Sequence, residues 1–332
     1  MTGKFYMVRR LAILLMVGLS GSVASAQEPT RIVAGYSAIS GHHSILWIAH
    51  EAGLFEKNGL KVEMVLIRSG TTHAQALVAG GTQISQLAGT SGLAAGVAGA
   101  DIAFVSMYLN TAPFIIYGNA SKIADLKGKA IGVTRYGSTT DISARFALRK
   151  FGLQPEKDVA LVQLEDYPGI LGGIKSGRIA AGVFAPPFTD HAQGLGYKAI
   201  VNVAELGLEF PFAGLAAKKT YLREHADIVQ RFLRAHIEAI AVFKNNRDLT
   251  MKILKKYTGI EDPAVLASTV DFYAPKFPRA PYPTADGIRL ALEQIALTDP
   301  RAKSAKPEEF MDIRFVKQLD ESGFIKSLYP GR

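Results

Sequence analysis

The sequence predicts an α/β fold with parallel-dominated sheets, arranged as two lobes and followed by a helical tail. Short apolar, β-branched runs alternate with helical patterns between residues 31 and 201, and this alternation is typical of parallel sheets. The pattern restarts near Ala120, and helix signals dominate after residue 218. A chain of roughly 300 residues has room for two lobes of ordinary size.

The first 26 residues have the pattern of a cleavable signal peptide. The basic residues Lys4, Arg9 and Arg10 precede an apolar run at 11–19, and small residues at 24–26 suit a cleavage site. We therefore predict residues 1–26 as a leader and a periplasmic location. The sequence contains no cysteine, which excludes disulfides and thiolate zinc sites.

Charge and hydropathy argue against nucleic-acid binding and against a membrane-spanning segment after the leader. The net charge of +9 falls to +6 when the three basic residues of the leader are removed. The remaining basic residues are scattered and form no stripe of the kind that binds nucleic acid, so we expect no nucleic-acid partner. No later apolar run reaches about 18 residues, so none is predicted to span a membrane.

In the first lobe, three predicted strands, at 31–36, 61–67 and 83–87, each end in a polar loop that leads into a helix. Free N–H groups at a helix N-terminus, together with hydroxyls, form a cradle for a negative or strongly polar group. Two further strands are predicted at 102–108 and 113–117, the second leading towards a crossover. The polar side chains that these three loops offer include Ser37, Ser40, His42, Thr71, Thr72, Thr90 and Ser91.

The second lobe repeats this arrangement. A strand at 129–133 leads through Gly137, Ser138 and Thr139 into a helix that ends near residue 151. A ligand cradle and an ordinary capped helix both explain the loop, and its recurrence along the chain favours the cradle. Strands at 159–164, 179–184 and 197–201 complete this lobe, a strand at 212–218 returns to the first, and helices follow.

Several segments together resemble one known family. They are residues 51–60, 79–84, 125–129 followed by Gly137 and Ser138, and 175–181. In this order they resemble the periplasmic substrate-binding proteins of ABC transporters, in the NMT1/THI5-like group of SsuA/TauA-like sulfonate, nitrate and thiamine-precursor binders. The resemblance covers most of residues 30–220.

The resemblance implies a type II periplasmic binding protein whose two lobes, joined by two crossovers, close on a ligand. We expect residues 27–117 and 212–332 to form the first lobe and residues 118–211 the second. The implied protein has no catalytic role and no cofactor. It is a monomer that delivers a small-molecule ligand to an ABC permease and its ATPase.

The resemblance also implies which side chains face the cleft. They are the loop residues of the first lobe named above, with Tyr108 and Asn110 near the crossover, Arg135, Ser138 and Thr139 from the second lobe, and Phe184 and Pro187 on the opposite wall. Arg135 has two interpretations, a bidentate clamp for a carboxylate or sulfonate and an ordinary surface arginine.

One departure from the family pattern bears on the ligand. Sulfonate binders carry a Trp-Asp-Pro-Tyr-like run where this chain has Phe-Ala-Pro-Pro-Phe at 184–188. A small organic anion, or an aromatic or heterocyclic solute, therefore fits the pattern as well as a sulfonate does.

Metal binding and catalysis receive little support from the sequence. His42, His43 and His50 lack carboxylates or cysteines at metal-binding spacing, so no metal is expected. The sequence has no nucleophile elbow and no phosphate loop, which favours a binding protein over an enzyme. The alternatives are a secreted enzyme on the same fold and the extracytoplasmic sensing partner of a membrane receptor.

Overall fold

The computed structural model describes residues 29–206 and 209–330. They form two mixed five-stranded sheets, each flanked by helices. The leader predicted at residues 1–26 lies outside the described residues. None of the described helices has both the length and the apolar content that crossing a membrane requires.

The strands in chain order are β1 (Thr30–Tyr36), β2 (Leu60–Leu66), β3 (Ile84–Ala88), β4 (Ile102–Thr111), β5 (Ile115–Gly118), β6 (Ala130–Val133), β7 (Ala160–Gln163), β8 (Ala181–Phe184), β9 (Lys198–Asn202) and β10 (Glu209–Lys218). The α-helices are α1 (Ser44–Glu51), α2 (Leu54–Lys57), α3 (Gly70–Ala79), α4 (Gly89–Val97), α5 (Thr139–Lys150), α6 (Tyr167–Lys175), α7 (Phe188–Gly194), α8 (Lys219–Glu224), α9 (Ala226–Asn245), α10 (Arg247–Thr258), α11 (Pro263–Tyr273), α12 (Ala285–Ile295), α13 (Arg314–Glu321) and α14 (Phe324–Ser327).

The first sheet has the strand order β2-β1-β3-β10-β4. Strands β1, β2 and β3 are parallel, and β10 lies antiparallel between β3 and β4. Every residue of β3 is buried, as expected for a strand that is covered on both faces by helices. Four of the five strands therefore run in one direction, in agreement with the predicted parallel-dominated sheet.

The second sheet, β7-β6-β8-β5-β9, repeats this plan, with β5 as its antiparallel strand. In each sheet the antiparallel strand is the one that the chain forms directly after it crosses from the other sheet. The strand predicted at 113–117 corresponds to β5, and our placing of it in the first lobe is corrected. Ile116 pairs with Val183 and Val201 of the second sheet, so the chain changes sheets between Thr111 and Ile115.

The helical tail covers the first sheet. Helix α9 buries Phe232 against Phe55 of α2, with ring centroids 4.8 Å apart. Near the C-terminus, Met311 forms a bridge beside Phe104 of β4. The apolar stripe of α9 is therefore core, and the tail completes the first lobe.

Candidate functional site

A small cavity lies between the two sheets, where polar loops from both lobes meet. Its volume is about 30 Å³, which accommodates no more than a few water molecules. Any larger solute therefore requires the lobes to separate before it enters. The described residues that line it are Ser37, Ala38, His42, His43, Ser69, Gly70, Ala88, Thr134, Ser138, Thr139, Thr140, Tyr167, Phe212 and Ala213.

The topology explains why these loops converge. Strands β1, β2 and β3 of the first sheet and β6 of the second present their carboxyl ends to the cavity, and each leads into a helix. Open α/β sheets gather ligands at the carboxyl ends of their strands. The N-termini of α3, α4 and α5 thus lie at one place and bring free backbone N–H groups with them.

The wall from the second lobe is a cluster of hydroxyls. The side-chain oxygens of Thr134, Ser138 and Thr140 lie 2.9 Å from one another. Ser138 is also the N-cap of α5 and accepts a hydrogen bond from the backbone N–H of Asp141 at 3.5 Å. Ser138 therefore both caps α5 and lines the cavity. Thr139 differs, because its hydroxyl makes no hydrogen bond within the described chain and remains available.

The wall from the first lobe includes a strained turn before α3. Ser69 is a buried non-glycine residue with a φ of 72°, a conformation that costs of order 1–3 kcal/mol and is concentrated at functional sites. Its hydroxyl lies 3.0 Å from that of Thr71. A Cβ on Gly70 would approach the Ser91 hydroxyl to 2.6 Å, so α3 and α4 pack closely at this point.

Two adjacent histidines form the deepest polar part of this wall. Their rings lie 4.1 Å apart, and the ring of His42 contacts Phe212 edge-on at 4.9 Å. Nδ1 of His42 is 2.8 Å from the Ser40 hydroxyl. Burial lowers the pKa of His43 to about 4 and lowers that of His42 well below its ordinary value. Both imidazoles are therefore neutral at pH 7.

No lysine, arginine, aspartate or glutamate is among the described residues that line the cavity. Its other titratable group, Tyr167, stays protonated because burial raises its pKa far above the ordinary value. The cavity consequently presents neutral donors and acceptors only. Across the described residues, no three histidine or acidic side chains converge in a way that could hold a metal ion.

Contacts between the lobes surround the cavity. The carbonyl oxygen of Pro186 accepts hydrogen bonds from the Gly41 N–H at 3.0 Å, the Ser40 hydroxyl at 3.3 Å and the Tyr273 hydroxyl at 3.4 Å. Arg68 of the first lobe pairs with Asp166 of the second at 2.8 Å. These contacts show that the lobes are held together on more than one side of the cavity.

Of the side chains predicted to face the cleft, Ser37, His42, Ser138 and Thr139 line the cavity. Ser40 lies directly behind His42. Thr71 and Ser91 line a separate groove between α3 and α4. Thr72 is half-buried outside the cavity, and the Thr90 hydroxyl is buried without a partner in the described structure.

The structure places the remaining predicted side chains away from the cavity. Tyr108 is fully buried in the first lobe, where its ring lies 4.9 Å from that of His236. Phe184 is buried in the core of the second lobe. Arg135 pairs with Glu165 at 3.3 Å and is 41% exposed. Asn110 is half-buried and Pro187 precedes α7, and neither lines the cavity.

Sequence reasoning missed several lining residues. Thr134 and Thr140 belong to the loop that we singled out, and their hydroxyls were a usable signal. His43 stands beside the predicted His42, and only the fold shows that both rings are inward. Phe212 enters from the second crossover, and nothing in its local sequence indicates that position.

Comparison with known proteins now identifies the family. The profile of the NMT1-like family matches residues 25–255, which is most of the chain. The chain belongs to the NMT1-like family. It is 31% identical over 256 residues to a Brucella abortus (strain 2308) protein that is named as a binding protein, and the match covers 74% of this chain and 78% of that protein.

Members and fold relatives agree with this assignment. The NMT1-like chain is 25% identical over 289 residues to YtlA of Bacillus subtilis (strain 168), which is also named as a binding protein, covering 82% of this chain and 84% of the relative. The alkanesulfonate-binding protein SsuA from Xanthomonas axonopodis pv. citri, solved bound to MOPS, superimposes with a TM-score of 0.71 at 22% identity, covering 84% of this chain and 96% of that chain. The periplasmic binding protein fold and the family resemblance predicted from the motifs are thus confirmed.

Proposed function

We propose that this protein is the periplasmic solute-binding component of an ABC importer. It captures a small polar or anionic organic solute between its lobes and delivers it to a membrane permease and its ATPase. The observation that carries the proposal is the cavity, to which hydroxyls, histidines and helix N-termini of both lobes contribute. The relatives that are named as binding proteins support the same role.

The proposed mechanism is a population shift. A solute that contacts Thr139 in one lobe and Ser37 or His42 in the other binds the closed form more tightly than the open form, and so stabilises it. The permease then distinguishes the closed form of the protein from the open form. Neither lobe alone surrounds the solute, which makes closure a condition of tight binding.

The cavity also bears on the class of solute. Because no cationic side chain lines it among the described residues, an anion would be held by hydroxyls, imidazole N–H groups and helix dipoles, which stabilise partial negative charge. A neutral heterocycle with several polar atoms suits the same groups. A sulfonate, a carboxylate, a nitrate-like ion and a pyrimidine-like solute all remain within the proposal.

The test is native mass spectrometry of the protein purified from a periplasmic extract, followed by a thermal-shift screen of the stripped protein. The panel contains methanesulfonate, benzoate, nitrate and cytosine. A ligand at 100 times its Kd should stabilise the fold by about 2.7 kcal/mol. A bound small molecule that raises the Tm and is recovered unchanged would support solute binding, whereas turnover of that molecule would indicate an enzyme. The absence of both an adduct and a shift would favour a sensing partner.

A further inference from the structure

A chain of buried polar side chains connects the cavity to the interior of the first lobe. It runs from Ser37 through His43 and Gln86 to His236. Gln86 lies in the middle of β3, and His236 lies on α9, which packs beneath the sheet. The last three side chains are almost completely buried, so their polar atoms depend on partners within the protein, and among them Nδ1 of His236 has none in the described structure.

The backbone around Gln86 fixes the orientation of its amide. One end of the amide faces the Leu46 N–H at 3.3 Å, and the other faces the His43 carbonyl oxygen at 3.3 Å. A backbone N–H can only donate and a carbonyl can only accept. The amide oxygen must therefore point to Leu46, and the amide nitrogen must point to the carbonyl of His43.

This orientation decides the role of both histidines. The amide oxygen also lies 2.8 Å from Nε2 of His236, which must carry a proton to donate to it. The amide nitrogen lies 3.0 Å from Nδ1 of His43, which must be unprotonated to accept. A neutral imidazole carries one proton, so the proton of His43 resides on Nε2. That atom lies at the cavity, 3.3 Å from the Ser37 hydroxyl.

We propose that Gln86 and His236 are positioning residues that hold His43 as its Nε2–H tautomer, so that the first-lobe wall of the cleft presents a hydrogen-bond donor to the solute. The Ser37 oxygen accepts from this N–H, which leaves the Ser37 proton free to donate. The solute atom seated here is therefore a hydrogen-bond acceptor, such as a carbonyl, carboxylate or sulfonyl oxygen or a ring nitrogen. The claim about the solute atom rests on the proposed function, whereas the claim about the tautomer of His43 does not.

Burial makes the arrangement robust at neutral pH. It lowers the pKa of His43 to about 4 and that of His236 to about 3, so neither ring gains a second proton at pH 7. A doubly protonated His43 would also place an N–H against the amide nitrogen of Gln86, where two donors would face each other.

The first experiment reads the tautomers directly in the mature protein labelled with ¹⁵N-histidine. Long-range ¹H–¹⁵N correlation spectra at pH 7 should show His43 protonated at Nε2 and unprotonated at Nδ1. A Gln86→Glu variant replaces the amide donor with an acceptor and should move the His43 proton to Nδ1. An Nδ1–H or doubly protonated His43 in the wild type would overturn the proposal, as would a tautomer that Gln86→Glu leaves unchanged.

A second variant covers the case in which Gln86→Glu does not fold. Gln86→Met removes the amide donor without adding a charge, and His43 should then populate both tautomers. Retention of the pure Nε2–H form in Gln86→Met would contradict a positioning role for Gln86. These measurements of the tautomer are made without a ligand, so they remain valid if the proposed function fails.

The binding experiment uses the panel compound that gives the largest Tm shift with the wild type, with methanesulfonate as the reference acceptor. Gln86→Glu should weaken its binding at least tenfold. Gln83→Glu is the matched control, because the Gln83 side chain accepts from the Val33 N–H at 2.8 Å, a role that a carboxylate retains. Equal losses in both variants would overturn the proposal, whereas binding of no compound by the wild type would count against the proposed function alone.

Discussion

The interior of the cleft and its rim are built from different chemistry. The described lining of the cavity contains hydroxyls, neutral imidazoles and backbone groups and no charged side chain. The rim carries charges that are already paired, Arg68 with Asp166 across the lobes and Arg135 with Glu165 within the second lobe. Charges are thus kept where water screens them, and neutral groups occupy the place from which water is excluded.

This difference separates two tasks. Burying an unpaired charge costs several kcal/mol, whereas a buried hydroxyl or N–H with a partner costs little. Neutral groups can therefore select a solute by the geometry of donors and acceptors. The exposed ion pairs at the rim contribute at most about 1 kcal/mol each, so we expect them to adjust closure and not to select the solute.

The largest expected effect concerns pH and the neutral interior. Burial lowers the pKa of His43 to about 4 and those of His73 and His236 to about 3, below the ordinary value near 6.5. Between these values the unfolded chain binds protons that the folded chain does not bind, so stability is full above pH 6.5 and falls as pH decreases. The free energy of unfolding should decrease by on the order of 5 kcal/mol from pH 7 to pH 5.

Urea unfolding at a series of pH values measures this dependence. His73→Phe should reduce the slope near pH 5 by about 1.4 kcal/mol per pH unit. Thr72→Val is the control, because neither side chain titrates, and it should leave the slope unchanged. A wild-type stability that is flat between pH 7 and pH 5 would show that the interior histidines are not held neutral.

The second effect tests the hydroxyl cluster of the interior. Ser138→Ala removes the N-cap of α5 and one of three mutually bonded hydroxyls. It should lower the free energy of unfolding by about 1 kcal/mol. Thermal unfolding measures the change, with Ser327→Ala at the exposed end of α14 as the control. A Ser138→Ala protein as stable as the wild type would remove the capping role.

The third effect concerns the free hydroxyl of the same wall. Thr139→Val keeps the shape of the side chain and removes its hydroxyl, which should weaken solute binding by about 1 kcal/mol, roughly fivefold, with unchanged stability. Calorimetric titration measures the affinity. Thr72→Val, on α3 outside the cavity, should bind as the wild type does. The reverse pattern would place the solute elsewhere.

The fourth effect concerns the ion pair across the rim. Asp166→Asn removes the charge that faces Arg68 but keeps an oxygen that can cap α6 through the Gly169 N–H. Affinity should fall by less than about 1 kcal/mol, and the difference from the wild type should disappear in 1 M salt. A loss that persists in high salt would mean that the pair is part of the selecting interior.

The smallest effect is expected for Arg135, for which a clamp on an anion is one of the two interpretations of the sequence. Its guanidinium is 41% exposed and pairs with Glu165. Because Arg135 does not line the cavity, Arg135→Ala should change solute affinity by less than about twofold, in the lower part of the range for an exposed pair. A tenfold loss of solute affinity would indicate that Arg135 contacts the solute, and it would contradict the distinction between a selecting interior and a rim that does not select.

The sequence predicted the parts of the site that depend on local order. Ser138 and Thr139 follow a strand and begin a helix, and this succession alone indicates a cradle at the carboxyl edge of a sheet. Ser37 and His42 were found for the same reason. The location of the cavity at the ends of the strands therefore follows from the alternation of elements.

The sequence did not predict the parts that depend on distant packing. Gln86 and His236 are 150 residues apart, and no local pattern connects them. The family resemblance implied that Tyr108, near the crossover, faces the cleft. Helix α9 and the tail cover this strand and bury the tyrosine against His236 and Phe277.

Capture of a solute between the lobes can be tested most directly by measuring their separation. The chain has no cysteine, so cysteines introduced by Lys150→Cys on α5 and Glu293→Cys on α12, both exposed, can be spin-labelled without background. Pulsed electron-electron resonance is recorded with and without the solute recovered by native mass spectrometry. We predict that saturating solute shifts the distance distribution to a single shorter population. A distribution that the solute leaves unchanged would contradict closure around the ligand.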